Sequence, residues 1–204
     1  AKFTCNLDKK VGTRVNAMFK YKFFYSLTYE PNQFRSEFGK PEYSYAEKSK
    51  LFNCLDGLMD GHNIGLFLVE GGSDNKTLGE LLSSCNEKVK ANYKFMRQSI
   101  INDLSKACLE GDLSNFEGLN EGEINPGSIL SVLDNINNSQ ATDKSKVCAK
   151  LLKLLLGKCL DSRNLQDNVA GLTLLKWLKK NDPKVNVGKV TIKLFEAAKR
   201  NDLN

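Results

Sequence analysis

From Leu78 to Ala107, apolar side chains return at steps of three and four residues: Leu78, Leu82, Cys85, Val89, Tyr93, Met96, Ile100, Leu104 and Ala107. That recurrence matches the 3.6-residue turn of an α-helix, whereas a half-buried strand would alternate. Thr77 and Glu80 are spaced as a capping box at the start, and Gly111 lies past the end, where a left-handed residue can close a helix. If unbroken, such a helix would run about 45 Å. A chain committed to a seam of this length must bury it against other helices, which sets the expected fold class as all-α.

The remaining pattern agrees. Between Asp143 and Leu160, Lys146, Lys150, Lys153 and Gly157 form one narrow polar stripe, and leucines and two cysteines cover most of the circumference. A helix apolar on most sides belongs at the centre of a bundle. Leu165 to Lys180 reads as the next helix, with Leu172, Leu175, Trp177 and Leu178 as core candidates and Asp182-Pro183 as its stop. Val187, Thr191, Leu194, Phe195 and Ala198 mark a terminal helix, Ser128 to Ile136 a short one after Pro126-Gly127, and Ala46 to Met59 another. In the first 45 residues, Val15, Phe19, Phe23 and Leu27 step by four, while Lys20 to Phe23 alternates; helix is the reading adopted. The expectation is a disulfide-stapled bundle of about six to eight helices.

Charge divides unevenly. Residues 141–204 carry 14 Lys and Arg against 6 Asp and Glu, a net of +8, and residues 1–140 carry 16 against 18, a net of −2. Between Lys106 and Lys144 there is no basic residue, but Glu110, Asp112, Glu117, Glu121, Glu123 and Asp134 are acidic. The expected organisation is one helical domain over 1–204. It could be split into lobes 1–110 and 127–204 by an exposed acidic linker over 110–126. The basic third offers Lys176, Lys179, Lys180, Lys184, Lys189, Lys193, Lys199 and Arg200 as a candidate polyanion-binding field.

Six cysteines, Cys5, Cys54, Cys85, Cys108, Cys148 and Cys159, are spread with no Cys-x-x-Cys, and His62 is the single histidine. This usage disfavours zinc and thioredoxin-type chemistry and favours disulfides in a secreted protein. The opening Ala1-Lys2-Phe3-Thr4-Cys5 is what a mature secreted chain would show after its leader is removed. Residues eleven apart on one helix are separated by roughly 16 Å, too far for a bridge, so Cys148 and Cys159 each need another partner. The expected pairs are Cys108–Cys148, Cys5–Cys54 and Cys85–Cys159.

No catalytic signature is present: no Gly-x-Ser-x-Gly elbow, no phosphate loop, no His-Glu-x-x-His and no calcium-loop spacing. The sequence therefore predicts a protein that is not an enzyme and needs no cofactor. The longest apolar run, Leu151 to Leu156, is interrupted by Lys153, so no membrane span is expected. A nucleic-acid partner is not expected either, because no recognised binding motif accompanies the lysines. Two functional readings remain. One is an interaction protein whose surface engages a protein or a sulfated glycan. The other is a carrier of a small apolar or amine ligand, its pocket lined by Phe19, Tyr21, Phe23, Phe24, Tyr25 and Tyr29.

A Lys- and Asn-rich, cysteine-bearing helical chain of this size resembles the secreted salivary proteins of blood-feeding insects, mosquitoes in particular. That resemblance lies in overall style across the chain. It implies saliva as the source, host immune cells or haemostasis as the target, and a host protein or sulfated glycan as the partner. The odorant-binding-like members of that group carry Cys-x3-Cys and Cys-x8-Cys spacings. Here Cys148-x10-Cys159 is the nearest approach, so their ligand pocket is not implied.

Overall fold

The computed structural model describes residues 2–3, 26–27, 29–39, 67–68, 75–76 and 87–203. Among these the protein is predominantly helical, as expected, with seven helices and three two-residue strands. The helices are α1 (Pro31–Phe38), α2 (Glu87–Leu109), α3 (Ser114–Glu117), α4 (Pro126–Asn137), α5 (Lys144–Asp161), α6 (Leu165–Asn181) and α7 (Gly188–Asp202). The predicted helix over 46–59, Thr77 and Glu80, His62 and the aromatic cluster 19–25 lie outside the described residues.

The chain forms two compact units, Ala1–Ile100 and Ile101–Asn204, with the boundary inside α2. In the first unit, β1 (Lys2–Phe3), β2 (Phe67–Leu68) and β3 (Asn75–Lys76) form an antiparallel ladder, with Phe3 opposite Phe67 and Phe67 opposite Lys76. Period-based reading does not register two-residue strands, because alternation needs at least four residues to be seen. Helix α1 starts on Pro31, whose missing N–H costs nothing in a first turn. It buries Phe34 and Phe38, with Phe95 meeting Phe34 edge-on. Asn92, itself buried, donates to the carbonyls of Leu27 and Tyr29 and so ties the preceding chain to α2.

In the described part of the long seam Val89, Tyr93, Met96, Ile100 and Leu104 are buried as predicted, and at its end Ala107 is half-buried while Cys108 is buried. Gly111 closes α2 with φ +86°. The Asp112 N–H reaches the Ala107 carbonyl and the Gly111 N–H reaches that of Cys108, the paired bonds of a Schellman end.

In the second unit α5 is the centre. Its Val147, Cys148, Leu151, Leu152, Leu155 and Cys159 are buried, and α3, α4, α6 and α7 all pack on it. Lys146, Lys150 and Lys153 stay exposed, so the narrow stripe falls where the sequence put it. Several side-chain expectations fail, with Leu172 and Leu178 on α6 only half-buried. On α6, Leu174 and Leu175 fill the core, whereas Trp177 is only half-buried and donates from Nε1 to Asp134. On α7, Leu194 and Ala197 face inward and Phe195 is exposed.

The acidic stretch 110–126 belongs to the second unit and differs from the expected exposed linker. Phe116, Leu119 and Ile124 are buried, and Lys158 on α5 donates to the carbonyls of Glu117 and Leu119. Those three apolar residues outweigh the acidic ones, whose carboxylates can remain in water.

Candidate functional site

The eight predicted cations are all exposed, but the structure sorts them into different roles. Lys179 donates from Nζ to the carbonyls of Pro183 and Val185, so it closes the turn between α6 and α7. Lys176 and Lys179 also border a shallow depression of about 340 Å³ together with Val187 and Thr191. Lys180 and Lys184 stand at the end of α6 and in the turn after it.

Lys189, Lys193, Lys199 and Arg200 share the outer side of α7 with large apolar residues. Ile192 is 60%, Phe195 53% and Leu203 88% exposed. At 100° per residue, Phe195, Lys199, Ile192 and Leu203 follow one another around the solvent side, with Lys189, Arg200 and Lys193 beside them and Glu196 among them. Helix α7 thus spends one face on the core and leaves a second, narrow apolar stripe with basic residues along one side. A polyanion site read from lysine spacing alone misses that stripe.

Sequence reasoning also missed a groove of about 930 Å³ in the second unit. One wall is the outward stripe of α5, where Gly157 leaves a gap between Lys153 and Asp161. The other wall comes from the acidic stretch, through Leu119, Glu121 and Ile124. Ser162 and Asp167 also line it. Asp167 is only 1% exposed. Its Oδ2 accepts from the Gly122 N–H at 2.8 Å and the Ser162 hydroxyl at 2.7 Å, and its Oδ1 has no hydrogen-bond partner. Burial raises the Asp167 pKa, the two hydrogen bonds oppose this, and Glu121 and Glu123 raise it further. In sequence, Asp167 sits three residues after the N-cap Asn164 and looks like an ordinary first-turn acid. Its engagement with Gly122, 45 residues away, is a tertiary fact.

Of the expected bridges only Cys108–Cys148 lies wholly within the described residues, and stapling is not shown there: Cys108, Cys148 and Cys159 stand as free thiols, all buried. Cys5, Cys54 and Cys85 lie outside the described residues. A buried thiol packs as a small apolar group, and removal from water disfavours its charged form. Burial pushes Cys108 and Cys159 up to about 12 and also raises Cys148. At Cys108 the charges of Asp112 and, less, Cys148 add to the rise.

Among the described residues no helix is long and apolar enough to cross a membrane, and no group of three or more His, Cys, Asp or Glu could hold a metal ion. No protein-family model matches the chain, and neither the curated proteins nor the solved structures contain a match.

Proposed function

We propose that the protein is a secreted, non-enzymatic binding protein, a salivary effector that docks an acidic host protein on the outer face of α7. The observation that carries this reading is the exposure of Ile192 and Phe195 beside Lys189, Lys193, Lys199 and Arg200. Protein interfaces concentrate affinity in a few apolar anchors surrounded by a polar rim, and a basic rim selects and steers an acidic partner. A sulfated glycan would use the cations and have no need of Ile192 or Phe195. A membrane surface calls for a broad apolar face, and the broad face of α7 is already spent on Leu194 and Ala197.

In the secreted form, Cys108 and Cys148 are proposed to join as a bridge. The burial of both thiols within the second unit supports this. The binding reading is tested by capture from host plasma with the wild type, with Ile192→Ser/Phe195→Ser and with Lys189→Glu/Lys193→Glu. A plasma protein held by the wild type and lost by both variants is expected. Equal capture by all three would refute the proposal. Loss on charge reversal alone, with matching loss of heparin retention, would replace the protein partner by a glycan.

A further inference from the structure

We propose that the groove beside Gly157 binds a primary ammonium group carried on an apolar body, with the unpartnered Oδ1 of Asp167 as its acceptor. This site shares no residue with the α7 face and stands or falls independently of it.

The acceptor comes first. A buried carboxylate oxygen without a donor is costly, and such groups call for an explanation. Asp167 is held in place from its other side, since Oδ2 already takes the Gly122 N–H and the Ser162 hydroxyl. The carboxylate is therefore oriented before any ligand arrives, and one oxygen remains to be served. The charges felt at Asp167 come from Glu121 and Glu123, both negative. Lys158, the nearest lysine along the groove wall, is turned to the carbonyls of Glu117 and Leu119. A donor bringing positive charge would supply both the missing hydrogen bond and the missing countercharge.

The geometry narrows the class of donor. A guanidinium recognises a carboxylate through two parallel hydrogen bonds and needs both oxygens. Only Oδ1 is without a hydrogen bond here, which suits the single-point donation of an ammonium. Beyond Asp167 the walls turn apolar through Leu119, Ile124 and Leu154, so the carbon body of the ligand has surface to cover. Gly157 provides the space: a Cβ built there meets nothing within 4 Å. Lys150 and Lys153 line the groove away from Asp167 and disfavour the reverse orientation of a cation.

The test is titration calorimetry on the intact chain near neutral pH with hexylammonium, hexyltrimethylammonium and hexanol. Hexylammonium is expected to bind saturably, and the other two at least tenfold more weakly, because neither brings a charged N–H donor. Asp167→Asn should weaken hexylammonium at least tenfold. Gly157→Leu should abolish its binding, because the new side chain occupies the groove. That second variant keeps the proposal falsifiable if Asp167→Asn unfolds, since its Cβ enters open space. Equal binding of hexanol would show an apolar groove without ammonium recognition and overturn the proposal. Undiminished binding by Gly157→Leu, or no binding of hexylammonium at millimolar concentration, would overturn it as well.

Discussion

Replacing Gly171 by alanine should destabilise the second unit even though alanine is the better helix former. Gly171 lies within α6 where that helix passes both α5 and α7. A Cβ there would sit 2.9 Å from the Cβ of Cys159 and 2.9 and 3.1 Å from the two Cδ atoms of Leu194. Carbon atoms in good contact lie about 3.5–4.0 Å apart, so the methyl group intrudes by several tenths of an ångström on each side. Leu194 is fully buried and has little room to turn, and the Cys159 Cβ is fixed to its helix backbone. The helices must separate, which costs about 1–3 kcal/mol as overpacking. The gain from removing a mid-helix glycine is about 1 kcal/mol, leaving a net loss of up to about 2 kcal/mol, about 1 kcal/mol at the middle of the range. Gly157→Ala on α5 is the control, because its Cβ meets nothing within 4 Å and only the propensity gain remains. Urea unfolding followed by fluorescence reads both variants, because Trp177 is the single tryptophan and lies in this unit. The two variants should differ by about 2 kcal/mol, more than tenfold in the unfolding equilibrium. Adding Leu194→Ala to Gly171→Ala should cost less than the sum of the separate losses, because it relieves the same clash. A Gly171→Ala protein as stable as Gly157→Ala would refute the close approach of the three helices.

Asn168 donates to the carbonyls of Cys159 and Ser162 and accepts from Asn201, all while fully buried. Asn168→Ala should cost about 2–3 kcal/mol and Asn201→Ala about 1 kcal/mol in the same urea assay, and a reversed order would contradict the assigned network. The raised Asp167 pKa means that the folded state holds this proton more tightly than the unfolded chain. Its contribution is therefore full below the unfolded value of about 3.8 and is lost as pH rises through the folded pKa. Relative to Asp167→Asn, the wild type should lose stability over that rise, and parallel profiles would rule the buried carboxyl out. With its pKa near 12, Cys159 should react with iodoacetamide about a thousandfold more slowly than an exposed thiol in the native protein. Rapid native labelling would contradict its burial. In denaturant without reductant, labelling of Cys108 and Cys148 would identify free thiols, and protection of both would support their bridge.

Local chemistry made much of the helical framework legible from the chain. The step of three and four through Val89, Tyr93, Met96, Ile100 and Leu104 buries the side it indicated, because a helix has one way to present that spacing to a core. Pro126 and Gly111 mark helix ends by rules confined to a few residues, and each stands at such an end. The lysine stripe on α5 was readable for the same reason, and so was the central place of that helix. Depth within the fold was less legible. Phe195 and Leu194 are adjacent in sequence and similar in hydropathy, yet one is exposed and the other fully buried. What separates them is the close passage of α6 at Gly171, which admits Leu194 alone. The acidic stretch looked like a linker because its charges are counted easily and its three anchors, Phe116, Leu119 and Ile124, follow no period. The groove lay further still from sequence reading. Its acceptor, its turn and its empty floor come from Asp167, Gly122 and Gly157, which no local pattern joins. Periodicity and capping act within a few residues, so the sequence determined the helices; tertiary packing joined residues far apart in the chain, so it alone decided the surfaces they leave open.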